Sequence, residues 1–278
     1  MRIVDQLHLA RFSMRFRLQY FLIATALAAA PALAQNTSQS ITPVKPMAAD
    51  AHPSFEVATI KPHDPNSNHQ GFDAKGERVT ARDQSVASMM MFAYGIHPTQ
   101  IVGATDWVKN AQYDIEGKTN TTGEPNLSQQ QEMLQKLLAD RFGLRFHRDK
   151  RELPVYAIQI AKGGPKLTPA AHPDAQPDQN GSGHGTEADL GFISFSMPDL
   201  AMGLQFFVHD RPIVDQTGLL GSYDFKLRYT YDEANTTDLN APPGFFTAIQ
   251  EQLGLKLEPV KATVDVFVID RVEKPSAN

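Results

Sequence analysis

Cysteine is absent from this sequence of 278 residues, and tryptophan occurs once. Without cysteine the chain has no disulfide, no thiolate nucleophile and no Cys-ligated metal, so a stable fold must depend on its hydrophobic core. Basic residues are also few: 26 Lys and Arg stand against 31 Asp and Glu, which gives a net charge of −5. Because nucleic-acid-binding proteins need a basic surface, we expect no nucleic-acid partner.

The motifs of common enzyme classes are missing as well. The sequence has no H-E-x-x-H of zinc proteases, no G-x-S-x-G nucleophile elbow and no S-x-x-K. A glycine pair, Gly163-Gly164, is followed by Pro165, which has no amide hydrogen to donate to a phosphate, so this segment is predicted to be a turn. The sequence therefore predicts no catalytic residue and no cofactor site, and an enzyme is not the favoured interpretation.

The first 34 residues predict a Sec-type signal peptide. Arg15 and Arg17 give a basic start, residues 21–30 form a short apolar run, and small residues precede a cleavage site between Ala34 and Gln35. The apolar run is short for a membrane span, although an uncleaved anchor is an alternative. Because the segment carries four arginines and one aspartate, its removal changes the net charge from −5 to −8. We expect a periplasmic or secreted protein with no membrane span after cleavage.

Composition predicts the boundaries of the remaining chain. Residues 35–52 are polar and contain proline, which predicts a flexible tether. Residues 168–189 are rich in Pro, Gly and Asp and lack apolar periodicity, which predicts a linker or a long exposed loop. We therefore expect a first lobe at 53–167 and a second lobe at 190–275.

Two stretches of these lobes match at a constant offset. LQKLLADRFGLRFHRDKRELPVYAIQI begins at position 134, and FTAIQEQLGLKLEPVKATVDVFVI begins at position 246. Gly143 and Gly254 differ by 111 positions, and Val155 and Val266 differ by the same number. A constant period indicates an internal duplication.

Each lobe predicts the element order β-α-β-β-α-β-β. In the first lobe, Asp83 or Ser85 caps a helix that ends at Gly95, and Ser128 with Gln131 forms a capping box for a second helix. The charged residues 148–151 are predicted to be a hairpin turn between two strands. We therefore expect an α+β fold of two homologous lobes, which either form separate sheets or share one.

Histidines and acidic residues occur together in two predicted loops. Such residues can bind hard or borderline metals, but neither loop has a scaffold that fixes their geometry, so we interpret them as solvated and predict no metal site. The residues concerned are His63, Asp64, His69 and Asp73 in one loop and His172, Asp174, Asp178, His184 and Asp189 in the other.

Other polar residues have similar structural interpretations. Asp114 and Glu116 share one side of an alternating strand, which is typical of a solvent-facing side and not of a buried acid–base pair. Asp224 is interpreted in the same way. His97 and His209 end predicted helices, where a cation interacts favourably with the helix dipole.

Two aromatic residues are candidates for an interface. Trp107 lies in a predicted turn, where an exposed Trp can anchor a partner, although a buried position is equally compatible with the pattern. Tyr94 ends a methionine-rich helix that includes residues 89–91, and this helix predicts either a pliable binding groove or a filled core.

Several segments resemble a known family. They are FEVATIKP, QIVGATDWV, YDIEGK and PIVDQTGLLGSYDF, together with the two repeated stretches. The chain resembles, over nearly all of residues 53–275, the soil-associated family of secreted bacterial proteins, whose shared domain has no assigned function. That resemblance implies an exported protein. It also implies a module that, in some relatives, is attached to a membrane metallopeptidase of the antibiotic-sensing type, although this chain has no membrane helices and no peptidase motif.

Each repeat also resembles the short N-terminal domain of secretins and TonB-dependent transducers, which is a docking and signalling module. The expected function is therefore a non-catalytic binding, docking or sensing module of the cell envelope. Its partner would be an envelope protein or a peptide that adds to a free strand edge. The alternatives are an enzyme or small-molecule binder with a site between the lobes, and a structural envelope component.

Overall fold

A computed structural model describes residues 45–67, 69–184, 186–205, 207–208, 210–231 and 241–275. The predicted signal peptide, its cleavage site at Ala34 and Gln35, most of the predicted tether and His209 lie outside the described residues. Among the helices of the described part, none has the length and apolar character needed to cross a membrane.

The first half of the described chain contains six strands and three α-helices. They are β1 (Phe55–Pro62), β2 (Gly71–Lys75), β3 (Arg78–Ser85), α1 (Val86–Tyr94), β4 (Ile101–Val102), α2 (Asp106–Asn110), β5 (Gln112–Thr119), α3 (Leu127–Arg141) and β6 (Arg145–Ile160). A 3-10 turn at Pro98–Gln100 precedes β4.

The second half contains six strands and two α-helices. They are β7 (Thr168–Pro169), β8 (Asp178–His184), β9 (Glu187–Ser196), α4 (Met197–Leu204), β10 (Ile213–Asp215), β11 (Ser222–Thr230), α5 (Phe245–Ala248) and β12 (Leu255–Arg271). Helix α5 continues into a π-helical turn at Ile249–Leu253.

The strands form three four-stranded sheets, and with the helices they make an α+β fold as predicted. One outer sheet has the order β1-β5-β3-β2, and the other has the order β7-β11-β9-β8. The central sheet has the order β10-β6-β12-β4 and takes two strands from each half. Each half therefore has a sheet of its own, and the two halves share the third.

The central sheet is built on the antiparallel pair β6 and β12, which runs from Arg145↔Arg271 to Ile160↔Leu255. The predicted hairpin turn at residues 148–151 is wrong, because β6 continues through it as one strand of 16 residues. Of the residues that favour turns, the segment has only Asp149 and lacks Gly, Pro, Asn and Ser. Its charged side chains are exposed, and charged residues are common where a strand edge meets solvent.

Helix α1 begins and ends where the sequence predicts. The hydroxyl of Ser85 accepts the N–H of Ser88, so Ser85 is the cap and Asp83 is not. Gly95 ends the helix in the left-handed region, with φ of 62°. Four side chains of this helix are fully or almost fully buried, so the methionine-rich segment contributes to the core and not to an open groove.

Helix α3 begins earlier than predicted. Its capping box is formed by Asn126 and Gln129, and the prediction of Ser128 with Gln131 is wrong. Both pairs have the right spacing, but Asn is at least as good an N-cap as Ser. The earlier start also buries Gln129, whose side-chain amide donates to the carbonyl of Ala48 at 2.7 Å.

Two segments predicted to be irregular contain ordered structure. The predicted linker supplies β7 and β8, the two edge strands of the second outer sheet. Strand β8 is held by backbone hydrogen bonds to one neighbour, β9, and such bonds do not need apolar side chains. Its hydrophilic sequence therefore has no apolar alternation that would predict a strand. At the end of the predicted tether, Met47 is buried and its N–H donates to the carbonyl of Glu124 at 2.8 Å.

Each half has its own hydrophobic core. The first joins α1, α3, the first outer sheet and one end of the central sheet, with Met89, Ile115, Leu138 and Phe267 among its buried members. The second joins α4, the turn after α5, the second outer sheet and the other end of the central sheet, where Leu255 is fully buried.

Candidate functional site

A buried histidine contacts an aspartate in the first half. His63 follows β1, and its side chain is 8% exposed. Its Nδ1 lies 2.7 Å from Oδ1 of Asp114 in β5, and its Nε2 lies 3.8 Å from Oδ1 of Asp83. The prediction of a solvated loop residue is wrong for His63, because its side chain is mostly shielded from solvent. Its backbone N–H donates to the carbonyl of Gln112 and extends the pairing of β1 with β5.

Asp114 also holds a bulge in β3. Asp83 has φ of +54°, which is uncommon for a residue other than glycine. The register of β3 against β5 shifts between Ala81 and Gln84, so Asp83 lies in a β-bulge. Its backbone N–H donates to Oδ1 of Asp114 at 2.9 Å. Asp114 therefore joins the end of β1 to the bulge that precedes α1.

The second half repeats this arrangement. Ser194 has φ of +56°, and its backbone N–H donates to Oδ1 of Asp224 at 2.8 Å. The other carboxylate oxygen of Asp224 accepts the N–H of Ala171 at 3.0 Å. These two backbone N–H groups lower the pKa of Asp224, and nearby His172 adds to the effect. Asp224 thus holds the bulge that precedes α4.

The outer surface of the first sheet is strongly charged. Glu116 accepts from Arg78 at 2.5 Å and from Arg82 at 2.7 Å, and these contacts lower its pKa. The second guanidinium nitrogen of Arg82 lies 3.9 Å from Oδ2 of Asp114. As predicted, Asp114 and Glu116 face away from the core, although the side chain of Asp114 is only 16% exposed. A hollow of about 530 Å³ lies beside Glu116, Arg78 and Val57.

A second hollow lies beside β11 in the second half. It has a volume of about 540 Å³ and is open to solvent. Its lining includes Lys166 and Thr168 before and in β7, Lys226 in β11, and Gln252 and Leu253 of the π-helical turn. We call this hollow the β11 groove. The two hollows lie in different halves, and the predicted alternative of a site between the lobes stays a prediction.

Chemically, the His63 pair serves the fold better than a reaction. The ring is buried, and each of its nitrogens faces a carboxylate, Asp114 on one side and Asp83 on the other. A general base needs a nitrogen within reach of a substrate proton. The pair therefore stabilises a bulge, and the β11 groove is the better candidate for contact with another molecule.

The metal prediction is not tested by these observations. Within the described ranges, no group of three or more His, Asp or Glu side chains has the arrangement for a metal ion. His69 and His172 are exposed, and Asp64 is bonded by the N–H and side chain of Asn66.

The two predicted interface aromatics are half-buried in the first core. Trp107 lies in α2, with Nζ of Lys274 6.0 Å from its ring. The ring of Tyr94 lies 5.0 Å from that of Phe146 and 5.4 Å from that of Phe267, and burial raises the pKa of Tyr94. Their role at an interface stays a prediction.

Comparison with known proteins adds one finding. No curated protein and no solved structure matches the chain. A family model described as "Protein of unknown function (DUF3738)" matches residues 87–272, which is more than half of the chain. The matched region contains both bulge-holding aspartates and the β11 groove. The chain therefore belongs to the DUF3738 family of proteins of unknown function.

Proposed function

We propose that this protein is an exported docking module of the cell envelope, which binds a partner protein and catalyses no reaction. The observation that carries the proposal is the difference between two equivalent strand edges. Strand β1 covers β5 from Phe55 to Pro62, whereas β7 covers β11 at only two residues, Thr168 and Pro169. The edge of β11 is therefore open between Asp224, which pairs with β7, and Thr230, whose N–H donates to the carbonyl of Pro243 at 3.0 Å. A short extended segment of a partner can add to a sheet at such a gap.

The equivalence of β5 and β11 depends on a duplication of the lobe, which we include in the proposal. The first residues of α1 and α4, Val86 and Met197, differ by 111 positions, and so do the bulge residues Asp83 and Ser194. In the central sheet, β4 is parallel to β12 and β10 is parallel to β6. Such a consistent offset supports descent of both halves from one ancestral lobe.

Export belongs to the same proposal. It is supported by the basic start, the apolar run and the small residues before Ala34 in the sequence. N-terminal sequencing of the protein recovered from the cell envelope or the medium tests it. The expected first residue is Gln35, and a protein that begins at either methionine of the first 14 residues would contradict cleavage.

A site-specific crosslinking experiment tests the docking function. A photoreactive amino acid replaces Lys226 in the β11 groove of the tagged full chain, and in a matched variant it replaces Glu116, whose strand edge β1 already covers. After irradiation of producing cells, we expect one dominant protein adduct from position 226 and none from position 116. Adducts of equal yield at both positions, or none at either, would contradict docking at this groove.

A further inference from the structure

The alternating direction of the backbone groups along β11 determines which of its residues face the open edge. In an antiparallel strand, the N–H and C=O of every second residue point to the same side. The carbonyl of Ser222 accepts the N–H of Ala170, and the backbone of Arg228 bonds the side chain of Gln252, so both residues face away from β9. Lys226 is an even number of positions from both residues, so its backbone N–H and C=O face this edge too.

No hydrogen bond from the described residues reaches the edge-facing backbone of Lys226. The register of β7 pairs Asp224 with Thr168, so Lys166 would be the next partner and would oppose Lys226. Instead, the N–H of Lys166 donates to the carbonyl of Leu253 at 2.8 Å. The chain thus leaves β11 one step before Lys226, and the β11 groove opens there.

A side chain occupies the next step along the edge. The amide of Gln252 donates to the carbonyl of Arg228 at 2.6 Å and accepts its N–H at 2.9 Å. These are the two bonds that a residue of a neighbouring strand would make. Gln252 therefore substitutes for a strand residue, and an incoming strand that replaces it recovers the same two bonds.

The groove has a basic rim and an apolar side. Its charged lining consists of Lys166, Lys226 and Asp224. Both carboxylate oxygens of Asp224 accept backbone N–H groups, and the ammonium of Lys166 donates to the carbonyl of Glu251 at 2.7 Å, so the ammonium of Lys226 is the charged group that faces a ligand. Phe225 and Ile193 supply apolar surface in the same lining.

We propose that the β11 groove binds an extended acidic segment of a partner protein, which pairs with the backbone of Lys226 and displaces Gln252 from Arg228. The inference rests on the proposed docking function and names its ligand. Strand β1 shows the kind of segment that fits: it pairs Thr59 with Glu116, which is 110 positions before Lys226. An acidic residue at the position of Thr59 would face Lys226.

Two synthetic peptides test the ligand class on the purified chain. Both have the sequence of residues 54–62, one with Thr59→Glu and the other with Thr59→Lys. Fluorescence anisotropy should show the acidic peptide binding about threefold to fivefold tighter at low salt, which is the size expected of an exposed ion pair. Lys226→Glu should reverse this preference. Equal binding of both peptides, or a preference that Lys226→Glu leaves unchanged, would overturn the inference.

Backbone pairing is tested by a second set of variants. Lys226→Pro removes the N–H that faces the groove but no bond to β9, and Lys226→Ala retains it. We expect loss of acidic-peptide binding in Lys226→Pro and only a weakening of about threefold to fivefold in Lys226→Ala, which loses the ion pair alone, with thermal melting as the check on folding. Gln252→Ala should bind the acidic peptide about fivefold tighter, because the peptide no longer displaces two hydrogen bonds. Tighter binding by Lys226→Pro, or weaker binding by Gln252→Ala, would contradict strand addition.

The two experiments distinguish failure of the acidic ligand from failure of the docking function. A partner adduct at position 226 without any charge preference among the peptides would leave docking intact and overturn the acidic ligand. A charge-dependent peptide site without an adduct in cells would support the ligand class and contradict the docking function.

Discussion

The carboxylate of Asp114 lies 2.7 Å from Nδ1 of His63, and the same oxygen accepts the backbone N–H of Asp83. One side chain therefore joins a buried ring at the end of β1 to a residue of unfavourable backbone conformation in β3. Asp114 is mostly buried, so its removal takes this hydrogen-bond acceptor away from the ring of His63 and from the N–H of Asp83.

Replacing Asp114 should destabilise the protein strongly. We expect Asp114→Ala to lower the free energy of unfolding by about 3 kcal/mol, since a buried charged hydrogen bond and the support of the bulge are lost together. Urea denaturation followed by circular dichroism measures the change. Glu116→Ala is the matched control, and we expect less than about 1 kcal/mol because its ion pairs are exposed. Equal effects of the two variants would show that Asp114 does not hold the bulge.

The two positive-φ residues lead to a second prediction. At Asp83 and Ser194, alanine keeps the unfavourable contact of Cβ with the backbone, and glycine removes it. Both variants lose the original side chain, so their difference isolates the backbone. We expect Asp83→Gly to be more stable than Asp83→Ala by about 1 kcal/mol, and the same order at Ser194. Alanine variants as stable as the glycine variants would contradict the assigned backbone conformation.

Local signals gave the parts of the fold that depend on neighbours in the sequence. Ser85 and Gly95 bound α1 because a cap and a left-handed glycine act on the adjacent turn alone. The segment of charged residues in β6 was misjudged because its strand is held by β12, more than 100 residues later. A pattern of charged residues carries no sign of a distant partner strand.

The candidate site was harder to predict than the fold. His63 and Asp114 are 51 positions apart and meet only because Pro62 pairs with Tyr113 at the end of β1. The β11 groove did leave a signal in the sequence. Thr168 pairs with Asp224 as Lys61 pairs with Asp114, so the segment that corresponds to β1 ends at Pro169 and contains Gly163, Gly164 and Pro165, which interrupt a strand. This interruption in the second half, at the place where the first half has a full strand, is the signal that indicates the groove.

Low pH should remove the contribution of Asp224 to the stability of the folded protein. Its pKa in the folded protein is lowered from 3.8 by the N–H groups of Ala171 and Ser194. Because the folded-state pKa is the lower one, the ionised carboxylate stabilises the fold above the unfolded-state pKa. This stabilisation is lost as pH falls through the folded-state pKa, which lies below 3.8. We expect Asp224→Asn to be less stable than the unchanged protein at pH 7, with a smaller difference at pH 3. Urea denaturation at both pH values measures it. Asp174→Asn, at an exposed position, is the control, and a constant difference for Asp224→Asn at both pH values would contradict the assignment.

The aligned glycines Gly143 and Gly254 should respond differently to alanine. Both are in the left-handed region, with φ of 58° and 65°. A Cβ at Gly143 would have only the flexible carboxylate of Glu273 near it, at 3.7 Å, so we expect Gly143→Ala to cost about 1 kcal/mol from backbone conformation alone. A Cβ at Gly254 would meet the backbone carbonyl of Gly164, which side-chain rotation cannot relieve.

The additional clash should make Gly254→Ala cost about 3 kcal/mol, in the range of steric overpacking added to the backbone term. It should also weaken the second half selectively, because Gly254 precedes β12 and accepts the N–H of Ala161 at 2.9 Å. Urea denaturation gives the two costs, and hydrogen exchange compares protection in β11 with protection in β5. Equal costs at the two glycines would show that the backbone at Gly164 moves aside, and the close packing of the two segments at the start of β12 would then be wrong.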